Sequence, residues 1–78
     1  MANYMRFTST LGVHAIERLR NSRNGGPRYR FLLYNGMEMK TPTDAGWVYG
    51  LVPSAITDTT IRVHYRTKRG GYEILGIA

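Results

Sequence analysis

The stretch Arg28-Tyr29-Arg30-Phe31-Leu32-Leu33-Tyr34-Asn35-Gly36-Met37-Glu38-Met39-Lys40-Thr41 decides the fold class. Residues 29–34 carry aromatic, branched or long side chains suited to a pleated surface. Asn35-Gly36 is the dipeptide best able to hold positive φ at both centres of a two-residue type I′ turn, after which residues 37–40 run back. Such a turn sets Tyr34 opposite Met37 and Leu32 opposite Met39 on one face, with Arg30 near Thr41. Tyr29, Phe31 and Leu33 then share the other face with Glu38 and Lys40. Both faces of the first strand are partly apolar, as a tightly coiled barrel strand requires and a flat two-layer sheet does not.

Downstream, Ile61, Val63, Tyr65 and Thr67 alternate with Arg62, His64, Arg66 and Lys68, which predicts a strand with one apolar and one basic face. Arg69-Gly70-Gly71 turns the chain, and residues 72–77 return, with Gly76 placed where a bulge would be tolerated. Between the hairpins a short helix is expected. Thr41 is its N-cap, Pro42 its first residue, Asp44 stands three residues after the cap, and Ala45, Val48 and Tyr49 form its inward stripe. Trp47 lies off that stripe and reads as a lid on the barrel end in preference to an exposed anchor for a protein partner. Upstream, residues 13–20 read as a strand if Val13, Ala15 and Leu19 face inward, with Glu17 as the flaw, or as a helix if Ala15, Ile16 and Leu19 form the stripe. The β-rich remainder needs a strand here to close, and Tyr4–Thr10 adds an edge strand. The expected fold is all-β with one short helix, a small five-stranded barrel, OB-like or SH3-like; chain order alone does not separate the two.

The whole chain has 78 residues, which allows one small basic domain over residues 1–78. A chain of this mass buries about 63% of its extended surface on folding, enough for a core but with little stability to spare. No cysteine is present, so neither a disulfide framework nor a thiolate metal site reinforces it. The longest mostly apolar run, Trp47–Val52, is far too short to span a membrane, and the first residues lack an apolar signal core. A soluble protein of the cytoplasm is expected. The balance of 11 Lys+Arg against 5 Asp+Glu gives +6, and nine of the cations are arginines. That excess favours polyanionic partners, and a guanidinium grips phosphate in a two-pronged fork where lysine offers only a point charge.

Catalytic chemistry is not indicated. Ser54, Asp58 and His64 supply the residue types of a hydrolytic triad without a motif, the acids show no paired spacing, and His14 and His64 stand 50 residues apart with no clustered acidic partners. Gly25-Gly26 and Gly70-Gly71 fit neither phosphate-loop pattern. The chain reads as a non-enzyme without cofactor or metal.

Residues 18–30 are different. Five of these 13 residues are arginine and none is acidic. Arg18, Arg20 and Arg23 lead through a glycine bend to Arg28 and Arg30, so the loop reads as a phosphate clamp, with Tyr29 stacking on a base if it points outward. If the flanking strands pair, arginines on one approach arginines on the other and repel unless an anion lies between. Arg62, Arg66 and Lys68, near Arg69, form a second basic strip that would extend the track. The competing reading treats these cations as solvated loop and edge-strand protection against aggregation.

The run Leu19-x-Asn21-Ser22-x-x-Gly25-x-Pro27-Arg28-Tyr29-Arg30 resembles a pattern in small uncharacterised proteins of actinobacterial bacteriophages. Those proteins look like R-L-x-N-S-x-x-G-N-P-R-Y/F-R before a hairpin, then T-x-x-D-A and Y-G. Gly26 stands where that pattern often has Asn, while Thr41, Asp44-Ala45 and Tyr49-Gly50 fit the later part. The similarity covers roughly residues 16–50 and implies a phage-like origin and action inside a bacterial host cell, with no activity or site residue attached.

Three expectations follow. The first is a barrel that binds the DNA or RNA backbone through Arg18, Arg20, Arg23, Arg28, Tyr29, Arg30, Arg62, Arg66 and Lys68. The second is a phage-encoded inhibitor of a host or anti-phage defence complex, anti-CRISPR-like, that docks on an acidic host protein surface. The third is an assembly component that uses its sheet edges. None involves a membrane.

Overall fold

The computed structural model describes residues 6–43 and 45–78. Strands β1 (Arg6–Leu19), β2 (Arg28–Leu33) and β3 (Glu38–Lys40) are followed by a 3₁₀ helix (Gly46–Gly50) and a single α-turn, α1 (Pro53–Ile56). Strands β4 (Thr59–Lys68) and β5 (Gly71–Ile77) complete the chain. The strands close into a barrel in the order β1-β2-β3-β5-β4. Long β1 closes the ring by bonding β2 with its second half and β4 with its first. The β3–β5 contact, at Lys40 and Glu73, is parallel, and the other pairings are antiparallel. This ring, with a parallel third and fifth strand, is the connectivity of an OB-type barrel.

Residues 13–20 resolve as strand to Leu19, continuous with the edge strand expected upstream; Tyr4 and Met5 lie outside the described residues. A bulge between Val13 and Ala15 explains why strict alternation left Glu17 in the wrong place. Below the bulge Val13 faces inward opposite Leu33. Above it Ile16 pairs with buried Phe31, and Glu17 turns outward opposite Arg30. One extra residue switches the face of every residue that follows.

The β2–β3 hairpin forms, but its register differs by one from the expected pairing. Arg30 faces Lys40, Phe31 faces Met39 and Leu32 faces Glu38. Tyr34-Asn35-Gly36 is a three-residue loop, closed by Gly36 N donating to Leu33 O (3.0 Å) and Leu33 N to Met37 O (2.9 Å). Within it only Gly36 has positive φ, 86°. This is a type I turn with a left-handed glycine, which three-residue loops favour, instead of a type I′ pair. The shift puts Phe31, Leu33 and Met39 in the core and Arg30, Glu38 and Lys40 outside. Gly36→Val forces a β-branched residue into left-handed backbone and should cost about 1–2 kcal/mol. Chemical denaturation with an unchanged midpoint would show that the loop is not built this way.

The helix expected from Thr41 does not start there. Thr41 is fully buried: its amide donates to Tyr29 O at 3.0 Å and its hydroxyl accepts from Tyr29 N at 3.0 Å. It thus extends the β2–β3 ladder. The 3₁₀ helix begins after Ala45 without a side-chain cap, and expected cap partner Asp44 lies outside the described residues. Val48 is buried as expected, but Tyr49, placed on the inward stripe, is 71% exposed. Pro53 and Ser54 open α1.

Each strand supplies at least one residue to the core of Val13, Phe31, Leu33, Met39, Val63 and Ile74. Trp47, Leu51 and Ile56 pack against it, so Trp47 covers the core as a lid would. The last hairpin forms with Gly70 at φ 83°, and the register shift opposite His64 and Tyr65 leaves Leu75 as the extra residue beside Gly76.

Candidate functional site

The hairpin register decides which cations are neutralised inside the molecule. Arg30 Nη1 donates to both oxygens of Glu17 at 3.1 and 3.3 Å, and its Nε lies 3.4 Å from Glu38 Oε1. The expected arginine-against-arginine repulsion across β1 and β2 is therefore absent: Glu17 opposes Arg30, Arg18 opposes Tyr29, and Leu19 opposes Arg28. Arg18 is spent within its own hairpin. It donates to Leu19 O (2.8 Å), to Arg28 O (3.2 Å) and to Asn21 Oδ1. Its guanidinium carbon also lies 5.3 Å from the centroid of the Tyr29 ring. Tyr29 packs against the core beneath it, so the outward stacking role considered for Tyr29 is not available.

The second basic strip is also partly bound. Arg66 donates to Glu73 Oε1 from Nε (2.9 Å) and Nη2 (2.5 Å), and Lys68 Nζ donates to Oε2 at 3.0 Å. Glu73 is 3% exposed. Burial alone would raise its pKa, but the hydrogen bonds and charges of Arg66 and Lys68 outweigh it and hold the carboxyl below its ordinary value. Its stabilising contribution is therefore complete above the unfolded-state pKa, about 4.3. It is lost as pH falls through the lower folded value. Glu73→Gln should cost about 2 kcal/mol at pH 7, less than a fully buried pair because Lys68 reaches water. The variant should also lose less stability than wild type on acidification. Urea unfolding at pH 7 and pH 3 tests this; a variant as stable as wild type at pH 7 contradicts it.

Arg28, Arg30, Glu38, Lys40, Lys68, Arg69, Gly70, Gly71, Tyr72 and Glu73 line one cleft of about 340 Å³. It is built by the N-terminal end of β2, the C-terminal end of β3 and the β4–β5 turn. The fold brings these together because β5 runs parallel to β3 and its first residues meet the end of β3 at Lys40. Arg28 bonds Thr41 O at 3.3 and 3.4 Å and forms no ion pair with a described carboxylate; neither do Lys40 and Arg69. Three of the site residues expected from sequence, Arg28, Arg30 and Lys68, thus meet here.

Arg20 and Arg23 lie in the exposed β1–β2 loop leading to Arg28 and make no ion pair with a described carboxylate. That loop is tightly bonded, with Ser22 N to Gly26 O and Gly25 N to Ser22 O, both 2.9 Å, and Gly25 at φ 81°. Arg62 stays apart, exposed on β4 opposite Thr10 and outside the cleft lining. Lys40, Arg69 and Tyr72 were not among the expected site residues. The type I′ register put Lys40 on the face with Phe31, and nothing in the sequence pairs Tyr72 with β3.

The remaining polar cluster is His14, Tyr34 and Asp58. Tyr34 Oη donates to Asp58 Oδ1 at 2.5 Å, a bond that raises the tyrosine pKa, and His14 Nδ1 lies 4.0 Å from the same oxygen. Ser54 and His64 are not bonded to Asp58; His64 Nδ1 instead sits 2.8 Å from Thr8 Oγ1. Among the described residues no three His, Asp or Glu side chains are grouped to hold a metal, and no helix is long and apolar enough to cross a membrane.

Fold and site together define a class: a small closed β-barrel with a basic cleft on its β2–β3 side, flanked by the β1–β2 and β4–β5 loops. Comparison with protein-family models, curated proteins and solved structures returned no match.

Proposed function

We propose that the protein binds the DNA or RNA backbone in this cleft and performs no chemistry on it. The supporting observation is that Arg28, Lys40 and Arg69 converge on one concave site without an ion pair to any described carboxylate. Uncompensated cations crowded in a cleft repel one another, and an anion between them relieves that cost. The cleft also lies where barrels of this connectivity take oligonucleotides, on the second and third strands between the first and last hairpin loops. Arg20 and Arg23 extend the grip. The phage-like resemblance is in keeping with such binding inside a bacterial host cell.

Binding to random-sequence DNA and RNA oligonucleotides at 50 and 150 mM salt is the test. With three to five phosphate contacts, log affinity should fall with log salt at a slope of about −2 to −4. No binding at the lower salt removes the proposal. The second reading, an inhibitor of a host or defence complex, is favoured by a separate apolar groove. Trp47, Leu51, Val52, Ile56 and Ile77 line this groove of about 360 Å³, with Val52 and Ile77 exposed. Capture of one host protein from nuclease-treated lysate, lost on Val52→Glu, would support that reading over the first.

A further inference from the structure

We infer that the cleft takes a single strand with an unpaired base stacked on Tyr72; this rests on the nucleic-acid reading above. Among the described residues Tyr72 is the one aromatic that lines the basic cleft, and it is 37% exposed. Its ring is braced by packing: it meets Tyr65 in a T-shaped contact at 5.9 Å and 74°, and Phe7 stacks on Tyr65 at 5.2 Å and 25°. Tyr65 packs against the core, so the row is anchored. A braced ring at the rim loses little side-chain entropy when a base settles on it, because its rotamer is already held by packing. Phe7, the other end of the row, is also partly exposed and lines a neighbouring hollow with Arg6, Thr8 and His64. Cation and aromatic thus recur together at both ends of the row, Arg69 with Tyr72 and Arg6 with Phe7.

The geometry selects the single strand, because a duplex keeps its base faces stacked inside. An aromatic ring face gains a partner only from a base whose own face is open, and such stacking tolerates any sequence. Among the described residues two tyrosines are more exposed, and both lie elsewhere: Tyr34 is bonded to Asp58, and the Tyr49 hydroxyl lies beside Gly26 in the β1–β2 loop.

The test is fluorescence anisotropy with one mixed-sequence 12-mer, as single-stranded DNA, single-stranded RNA and blunt DNA duplex, at 50 mM salt. Wild type should bind at least one single strand about tenfold or more tighter than the duplex, and Tyr72→Ala should lose about tenfold on that strand while Tyr72→Phe does not. Tyr72→Leu keeps apolar volume against Tyr65 without a ring face, and it decides the matter if Tyr72→Ala melts early. Equal affinity for duplex and strands, or single-strand binding unchanged in Tyr72→Leu, overturns the inference and leaves the nucleic-acid reading intact. Failure of every oligonucleotide to bind overturns that reading itself.

Discussion

Arg28→Glu/Lys40→Glu should weaken oligonucleotide binding about 100-fold or more at 150 mM salt, because each reversal removes a phosphate contact and installs a repulsion of similar size. The log-salt slope should become shallower by about 1.4, the single-strand value for two lost contacts. The pair is chosen from the geometry. Neither side chain forms an ion pair with a described carboxylate, so reversal breaks no internal ion pair, and both line the cleft. Arg62→Glu makes one such reversal, half the charge change of the pair, on β4 outside the cleft and should cost only a few-fold through the long-range field. A loss in Arg62→Glu half as large on the logarithmic scale as in the pair, or larger, would mean that net charge alone drives binding and that the cleft is not the site. A thermal melt of each variant separates lost binding from lost fold.

Phe31→Ala should remove a large share of the protein's stability. Phe31 is completely buried at the centre of the barrel, with Ile16 and Met39 on the strands to either side. Truncating such a ring costs about 3–5 kcal/mol. A domain of this length has roughly 4–12 kcal/mol in total. At about 4–8 °C per kcal/mol for small domains, the midpoint should drop by some 15 °C or more. Phe31→Leu, which keeps most of the volume, should cost about 1.5 kcal/mol or less. A midpoint for Phe31→Ala within a few degrees of wild type would show that Phe31 is not a core residue.

The strands, their order and the last hairpin were legible because alternation and turn residues act locally. What failed to show were features that depend on a partner strand. Asn35-Gly36 announces a turn whichever loop it builds, and the choice between two and three loop residues is made when Phe31 and Met39 meet in the core. Glu17 looked misplaced because nothing local marks the bulge at Val13 and Ala15; the bulge exists because β1 must turn one face to β4 and then to β2. Thr41-Pro42 carries a cap signal, but pairing with Tyr29 buries the threonine more favourably than a cap would.

The site followed the same logic. An excess of arginine is visible in composition, yet which cations stay free depends on where Glu17, Glu38 and Glu73 land. Two land on Arg30, which was expected to grip phosphate; the third binds Arg66 and Lys68. Glu38→Gln should accordingly loosen Arg30 and strengthen oligonucleotide binding by a few-fold, a gain that anisotropy titration reads directly; weaker binding would contradict the account. Tyr72 became a site residue only through the parallel contact of β3 and β5, a pairing across more than 30 positions that no local pattern announces.

The most direct measurement is a ¹⁵N–¹H correlation spectrum recorded while an oligonucleotide is titrated in. Amide shifts should concentrate on Arg28, Lys40, Arg69, Gly70, Gly71 and Tyr72, with Val52, Ile56 and Ile77 unmoved. Shifts centred on the apolar groove, or none at low salt, would contradict the assignment of the cleft as the ligand site.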